Sequence, residues 1–192
     1  VAINDRNVLR GTWSLLMDEV SALEKLKYFT IPDILFTGSD SLDRESINDL
    51  VKAMCQTSAN ELSEQPPRMY MLLRLADVAY FNMGRPKIIW KEIWETISNQ
   101  IIDAGSMEDV NIAKATINVL WQITRKFIEQ PETNAFHFQE HFLRPFFEIF
   151  IVQQSAEVKG LIVECTSSLV NDLANSLHSG WSVVFQIMNA CA

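Results

Sequence analysis

Glycine and proline are scarce in this chain of 192 residues, with 6 of each. That is too few turn-formers for a β-rich fold with many tight connections. Histidine is scarcer still, with 3, which leaves little material for imidazole-based catalysis. The 3 cysteines are an odd number, and Cys55, Cys165 and Cys191 each sit among apolar helical neighbours. No two have metal-ligand spacing, so they are expected to be reduced core residues of a cytosolic protein and not a disulfide framework. Basic residues are outnumbered 16 to 24, giving a net charge of −8 and a pI near 4.9. This balance argues against nucleic acid, whose phosphates require Lys and Arg. Anionic lipid is disfavoured for the same reason, because recruitment takes a cluster of about 4–8 basic residues. The densest basic patch, Arg85, Lys87 and Lys91, reads as a solvated helix start. No apolar run approaches the ~18 residues of a membrane span, so no direct membrane insertion is expected. The chain runs from Val1 to an apolar stretch ending at Ala192 and is expected to be a fragment of a longer protein.

Apolar and aromatic residues are abundant: 48% of the chain is hydrophobic, with 5 Trp and 11 Phe, enough for a sizeable core. They recur at three- and four-residue steps, which places them on single helical faces. Leu9, Trp13, Leu16, Val20 and Leu23 form the first stripe, and Ile47, Val51, Met54, Ser58 and Leu62 the second. Leu72, Ala76 and Tyr80 lie in the third, Trp90, Ile93, Trp94, Ile97 and Ile101 in the fourth, and Ala113, Ile117, Leu120, Trp121 and Phe127 in the fifth. Phe142, Phe146, Ile149 and Phe150 follow, then Val158, Ile162, Cys165 and Leu169, and last Trp181, Val184, Phe185, Met188 and Cys191. Between the stripes, Pro66-Pro67 and Pro86 are expected in first helical turns. Gly84 is expected as a left-handed C-terminal cap, and Ser106 with Asp109 as a capping box. Ser155 and Ser179 are candidate N-caps, and residues 30–43 a loop with a short extra helix. Eight or so helices with short connections predict an all-α fold of irregular antiparallel helical pairs, a HEAT/armadillo-like α-solenoid with about 40 residues per pair. A compact bundle is the alternative.

One segment mimics chemistry. His137-Phe138-Gln139-Glu140-His141 fits the H-x-x-E-H pattern, in which two histidines on one helical face hold zinc and the glutamate acts as base. No third ligand is marked, and Pro145 is expected to end or kink the helix soon after. The segment is therefore read as a turn with Phe138 and Phe142 buried, and a zinc hydrolase on His137, Glu140 and His141 is kept only as an alternative. No nucleotide-binding glycine motif and no G-x-S-x-G occurs. No catalytic, cofactor-binding or metal-binding residue is assigned, and no cofactor is expected. Trp181 is expected to pack on the preceding helix; if it is buried, Trp181→Ala costs about 3–5 kcal/mol.

A colinear set of short segments resembles one family. Gly11-Thr12-Trp13 opens it, followed by Ile34-Leu35-Phe36-Thr37-Gly38-Ser39, Leu42-Asp43 and Pro67-Arg68-Met69. Ala79-Tyr80-Phe81-Asn82-Met83-Gly84-Arg85 and Trp90-Lys91-Glu92-Ile93-Trp94 come next. Phe138-Gln139, Phe142-Leu143-Arg144-Pro145-Phe146, Glu164-Cys165 and Ser179-Gly180-Trp181 complete it. In order and spacing they resemble the first homology-downstream-of-Sec7 region of the large Sec7/BIG-type Arf guanine-nucleotide exchange factors. The resemblance implies that residues 1–192 form a single helical regulatory domain, without the catalytic Sec7 domain, that does not exchange nucleotide alone. It implies a role in vesicle trafficking for a cytoplasmic protein recruited peripherally to trans-Golgi and endosomal membranes. The implied partners are an Arf-family small GTPase in its GTP form and other domains of the parent chain. An architectural spacer that binds nothing is the competing reading.

Overall fold

The computed structural model describes residues 34–128 and 138–191. Contacts divide the chain into two units, 1–36 and 37–192. Of the first unit only residues 34–36 are described, and they are helical. The Leu9–Leu23 stripe lies outside the described residues.

Within the second unit the described residues form seven α-helices and no strand. They are α1 (Arg44–Leu62), α2 (Tyr70–Asn82), α3 (Lys87–Gly105), α4 (Val110–Ile128), α5 (Phe138–Val152), α6 (Ala156–Leu173) and α7 (Trp181–Cys191). Short 3-10 turns cover Ser39–Ser41 and Ala174–Ser176. Each helix packs on the helix two places further along. α1, α3, α5 and α7 form one layer, α2, α4 and α6 the other, and sequential neighbours from α1 to α6 join the layers. The fold is an all-α, HEAT/armadillo-like solenoid of antiparallel pairs.

The stripes explain this arrangement, because each helix buries one apolar face between layers. Ile47, Val51 and Met54 of α1, Leu72, Leu75 and Val78 of α2, and Ile93, Ile97 and Ile101 of α3 are all essentially buried. Ile117 and Leu120 of α4, Phe142, Phe146 and Ile149 of α5, and Val158 and Ile162 of α6 continue the same core.

Several boundaries differ from the sequence expectation. Pro66 and Pro67 lie in the turn before α2, which starts only at Tyr70, and Pro86 is the N-cap of α3. None of the described glycines has positive φ, so Gly84 is not a left-handed cap. Asp109, not Ser106, caps α4: its Oδ1 accepts the Asn111 and Ile112 N–H groups at 2.8 and 3.3 Å, while Ser106 closes α3. Ser155 is the N-cap of α6 as expected, accepting from the Val158 N–H. Asp43, which no stop or start signal singled out, caps α1 by accepting from the Ser46 N–H and hydroxyl at 2.9 and 3.0 Å. Helix α5 runs straight through Pro145.

The largest departure is in α7. Its buried side chains are Val183, Val184 and Ile187, whereas Phe185 and Met188, assigned to the core by their spacing, are 56% and 58% exposed. Trp181 is half-buried and stacks on Phe185 with ring centroids 5.6 Å apart. Cys191 is exposed, so it is not a core residue. Cys165 is buried and Cys55 half-buried. Burial pushes their thiols up to about 11 and about 12, and the Glu164 charge adds to the shift at Cys165. Neither is poised to be a thiolate nucleophile.

Candidate partner-binding surface

The segments that carry the family resemblance meet one another in space, through side chains that satisfy backbone groups of a neighbouring repeat. Asn82, at the end of α2, is fully buried. Its amide donates to Ser39 Oγ and to the Val78 carbonyl, both at 2.8 Å, and its Oδ1 accepts from Arg85 Nε. Arg85 Nη2 reaches the carbonyls of Ser39, Asp40 and Leu42 at 3.0, 3.2 and 2.6 Å. Arg85 is therefore a structural clamp on the 39–42 turn and not a solvated cation.

Gln139, at the start of α5, does the same for the turn before α7. Its Nε2 donates to the Ser176 carbonyl at 2.8 Å, and its Oε1 accepts from the His178 and Gly180 N–H groups at 2.7 and 3.4 Å. Gly180 is needed there because a Cβ would lie 2.9 Å from Leu143 Cδ1 and 3.0 Å from Leu177 Cδ2. Gln153 closes the third junction, donating to the Gly105 and Met107 carbonyls at 2.9 and 3.0 Å. Beside it Gly105 gives way to Ile149, whose Cδ1 would sit 2.5 Å from an added Cβ. Gln100 of α3 adds a bond to Ser58 Oγ of α1 at 3.2 Å, again between successive pairs. These partners are 37 to 48 residues apart in sequence, which is the length of one helical pair.

Between α3 and α5 the seam carries an aromatic stack. Phe142 lies between Trp94 and Phe127 with centroid separations of 4.0 and 4.1 Å. Phe127 also stacks on Phe138 at 4.7 Å, and Trp90 extends the row at 6.2 Å from both Trp94 and Phe127. Such pairs contribute about 0.5–1.5 kcal/mol beyond their buried area. The stack has a polar counterpart. Proline at position 145 has no N–H to offer the carbonyl four residues back, which frees the His141 oxygen, and Trp94 Nε1 donates to it at 3.3 Å. The second tryptophan of the W-x-x-I-W step thus repairs the hydrogen bond that Pro145 removes, which is why α5 continues unbroken.

Above this seam lies an open groove of about 290 Å³, floored by Trp94, Phe138 and Pro145. Its rim carries Lys91 and Glu95 of α3 and Arg144 and Glu148 of α5, paired within each helix. A similar polar edge joins α1 to α3, where Arg44 holds Glu92 in an ion pair and Asn48 donates to Glu92 at 3.2 Å. The hydrogen bond from Arg44 lowers the Glu92 carboxyl pKa below its ordinary value.

The zinc alternative is dispersed by these contacts. His137 lies outside the described residues. The Glu140 carboxylate accepts from the Ser182 hydroxyl at 3.3 Å, and its N–H donates to Ser179 Oγ at 3.1 Å. The His141 side chain lines the groove. Among the described residues no three His, Cys, Asp or Glu side chains converge as a metal site, and no helix is long and apolar enough to cross a membrane. What these residues offer is a surface.

The fold and this surface define the class, an α-solenoid whose repeats are locked by side-chain-to-backbone clamps. Comparison with known proteins gives the family. Residues 126–192 match the family model described as Sec7-like HDS (Mon2/Sec7/BIG1-like, HDS). Over 174 residues the chain is 33% identical to the brefeldin A-inhibited guanine nucleotide-exchange protein 4 of Arabidopsis thaliana, an alignment covering 90% of this chain and 10% of that protein. It is 35% identical over 161 residues to the human brefeldin A-inhibited guanine nucleotide-exchange protein 1, covering 83% of this chain and 9% of that protein. With the Arabidopsis exchange protein 2 the identity is 30% over 188 residues, 97% of this chain and 10% of that one. The chain belongs to the Sec7/BIG-type homology-downstream-of-Sec7 family. It spans about a tenth of the length of the curated relatives it matches.

Proposed function

We propose that this chain is a noncatalytic regulatory, protein-binding region of an Arf guanine-nucleotide exchange factor, the first such region downstream of the Sec7 domain. In this reading it controls exchange activity and membrane recruitment in Golgi and endosomal trafficking by binding a GTP-loaded Arf-family GTPase. The observation that carries the reading is the alignment of nearly the whole chain with one tenth of an exchange protein's length, together with the match of residues 126–192 to an HDS family model.

The surface chemistry supports it. Anionic membrane requires about 4–8 clustered basic residues, yet Arg85 is committed to backbone carbonyls. Lys91 and Arg144 are paired with carboxylates. An acidic helical array of this kind reaches a membrane through a protein already anchored there. The α3–α5 groove, with aromatic floor and charged rim, is the natural place for that contact.

The test is flotation of the chain with liposomes carrying an Arf-family GTPase loaded with GTP or with GDP. Capture by the GTP form alone is expected. Lack of capture in both nucleotide states overturns the Arf-binding reading and leaves a spacer that orders flanking domains.

A further inference from the structure

Two hydrogen bonds hold α3 and α5 together at the ends of their groove. Near the start of α5, Trp94 Nε1 donates to the His141 carbonyl at 3.3 Å. Just past its end, Gln153 Nε2 donates to the Gly105 carbonyl at 2.9 Å. The partners are 47 and 48 residues apart, so both bonds keep the two helices in nearly one register. Trp94 and Gly105 are separated by about 16 Å of helix. Between them Ser98, Asn99 and Ile102 of α3 face Pro145 and Glu148 of α5. The charged rim adds no tie across the opening, because Lys91 pairs with Glu95 and Arg144 with Glu148 along their own helices. A second groove, of about 390 Å³, lies between α6 and α7 and is lined chiefly by Val163, Val170, Val184, Ile187 and Met188. It has no such pair of ties among the described residues.

The tie at Trp94 depends on Pro145. A proline there has no N–H for the His141 carbonyl, and its ring crowds that carbonyl on the helix axis. The oxygen is left to the indole of the neighbouring repeat. Phe142, stacked between Trp94 and Phe127, fills the seam without fixing its spacing. Apolar contact is non-directional, whereas a hydrogen bond weakens steeply away from its preferred angle. Trp94, His141 and Pro145 all line the groove.

We propose that Trp94 and Pro145 are a positioning pair for partner binding. The proline withholds α5's own hydrogen bond so that it is made to α3, and the resulting tie sets the width of the groove that the partner enters. The inference rests on the reading of this groove as the surface taken by a GTP-loaded Arf-family GTPase.

The test separates binding from stability. Pro145→Ala returns the N–H to α5 and is expected to leave the thermal melt unchanged or raised. It should nonetheless broaden the distances between nitroxides at Asn99→Cys and Arg144→Cys, read by double electron–electron resonance in a chain carrying Cys55→Ser and Cys191→Ser. Capture on liposomes bearing the GTP-loaded GTPase should weaken about fivefold, the equivalent of one hydrogen bond. The double variant Trp94→Phe/Pro145→Ala lacks the indole donor but keeps α5 bonded, and should show the same broadening. Distances unchanged in both variants overturn the inference, as does capture by Pro145→Ala equal to that of the parent chain. Absence of capture by the parent chain overturns the Arf-binding reading by itself, and the distances then decide the tie on their own.

Discussion

The seam between α3 and α5 and the groove between α6 and α7 are made from similar material and end in opposite states. Both are contacts between helices with apolar stripes. In the seam, Phe142 is fully buried between Trp94 and Phe127, and the carbonyl freed by Pro145 is bonded to Trp94. In the groove, Met188 stands more than half exposed, as does Phe185 elsewhere on the same helix. Hydrophobicity is comparable, so the difference lies in what the neighbouring repeat supplies. A stripe becomes core only when the helix two places along covers it and each backbone group in between finds a partner.

Substitutions can break this comparison at its strong side. Phe142→Ala is expected to have the largest effect, a loss of about 3–5 kcal/mol seen as a lower denaturant midpoint. A loss below about 1 kcal/mol would show that the stack is not the centre of the core. Next come the clamps at the α5–α7 junction. Gly180→Ala drives a methyl into Leu143 and Leu177 and should cost about 1–3 kcal/mol. Gln139→Leu strands the Ser176 carbonyl and the His178 N–H, with a loss in the same range of about 1–3 kcal/mol. In both variants hydrogen exchange should accelerate first in α7, which the clamp holds.

A double-mutant cycle sharpens the account of Pro145. Trp94→Phe removes the indole donor and leaves the His141 carbonyl unpaired. Pro145→Ala supplies a backbone N–H to that carbonyl. The cost of Trp94→Phe should therefore be smaller by about 1 kcal/mol in the Pro145→Ala background. Strict additivity would mean that the Trp94–His141 bond is not a repair.

The open side should respond least. In the 192-residue chain Phe185→Ala is expected to shift stability by no more than about 0.5 kcal/mol, since an exposed side chain away from any clamp has little burial to lose. A shift comparable with that of Phe142→Ala would erase the contrast between the two regions. The charged edge between α1 and α3 gives a pH signature. Because the Arg44 hydrogen bond lowers the Glu92 pKa, its contribution is fully present above the ordinary carboxylate value and is lost as pH falls through the depressed one. Thermal melts between about pH 5 and 3 should show Glu92→Gln losing less stability with acid than the parent chain does.

The helices themselves were legible in the chain because the 3.6-residue period needs only local information. The stripes of α1, α3, α4 and α5 match their buried faces. Caps were read less well. Asp109 displaced Ser106 and Asp43 went unnoticed, because any short oxygen acceptor near a helix start fits the local pattern and geometry selects among them. Gly84 had the right residue type for a left-handed cap, yet α2 ends in a right-handed turn in which the Met83 and Arg85 N–H groups donate to the Tyr80 and Asn82 carbonyls. The α3–α5 surface was present in the sequence as separate motifs, and nothing local indicated that W-x-x-I-W and F-L-R-P-F would meet. Their contact depends on the offset of one repeat, which only packing establishes.

Composition, periodicity and colinear motifs determined that this protein is all-α, built in pairs and related to the Sec7/BIG family, because these properties reside in short stretches of chain. Tertiary structure decided the rest. It made Asn82, Gln139 and Gln153 into clamps, assigned Pro145 a donor from another helix, and left the outer face of α7 uncovered. The physical reason is the same in each case: burial and hydrogen-bond satisfaction are properties of partners about 40 residues away, which no local pattern contains.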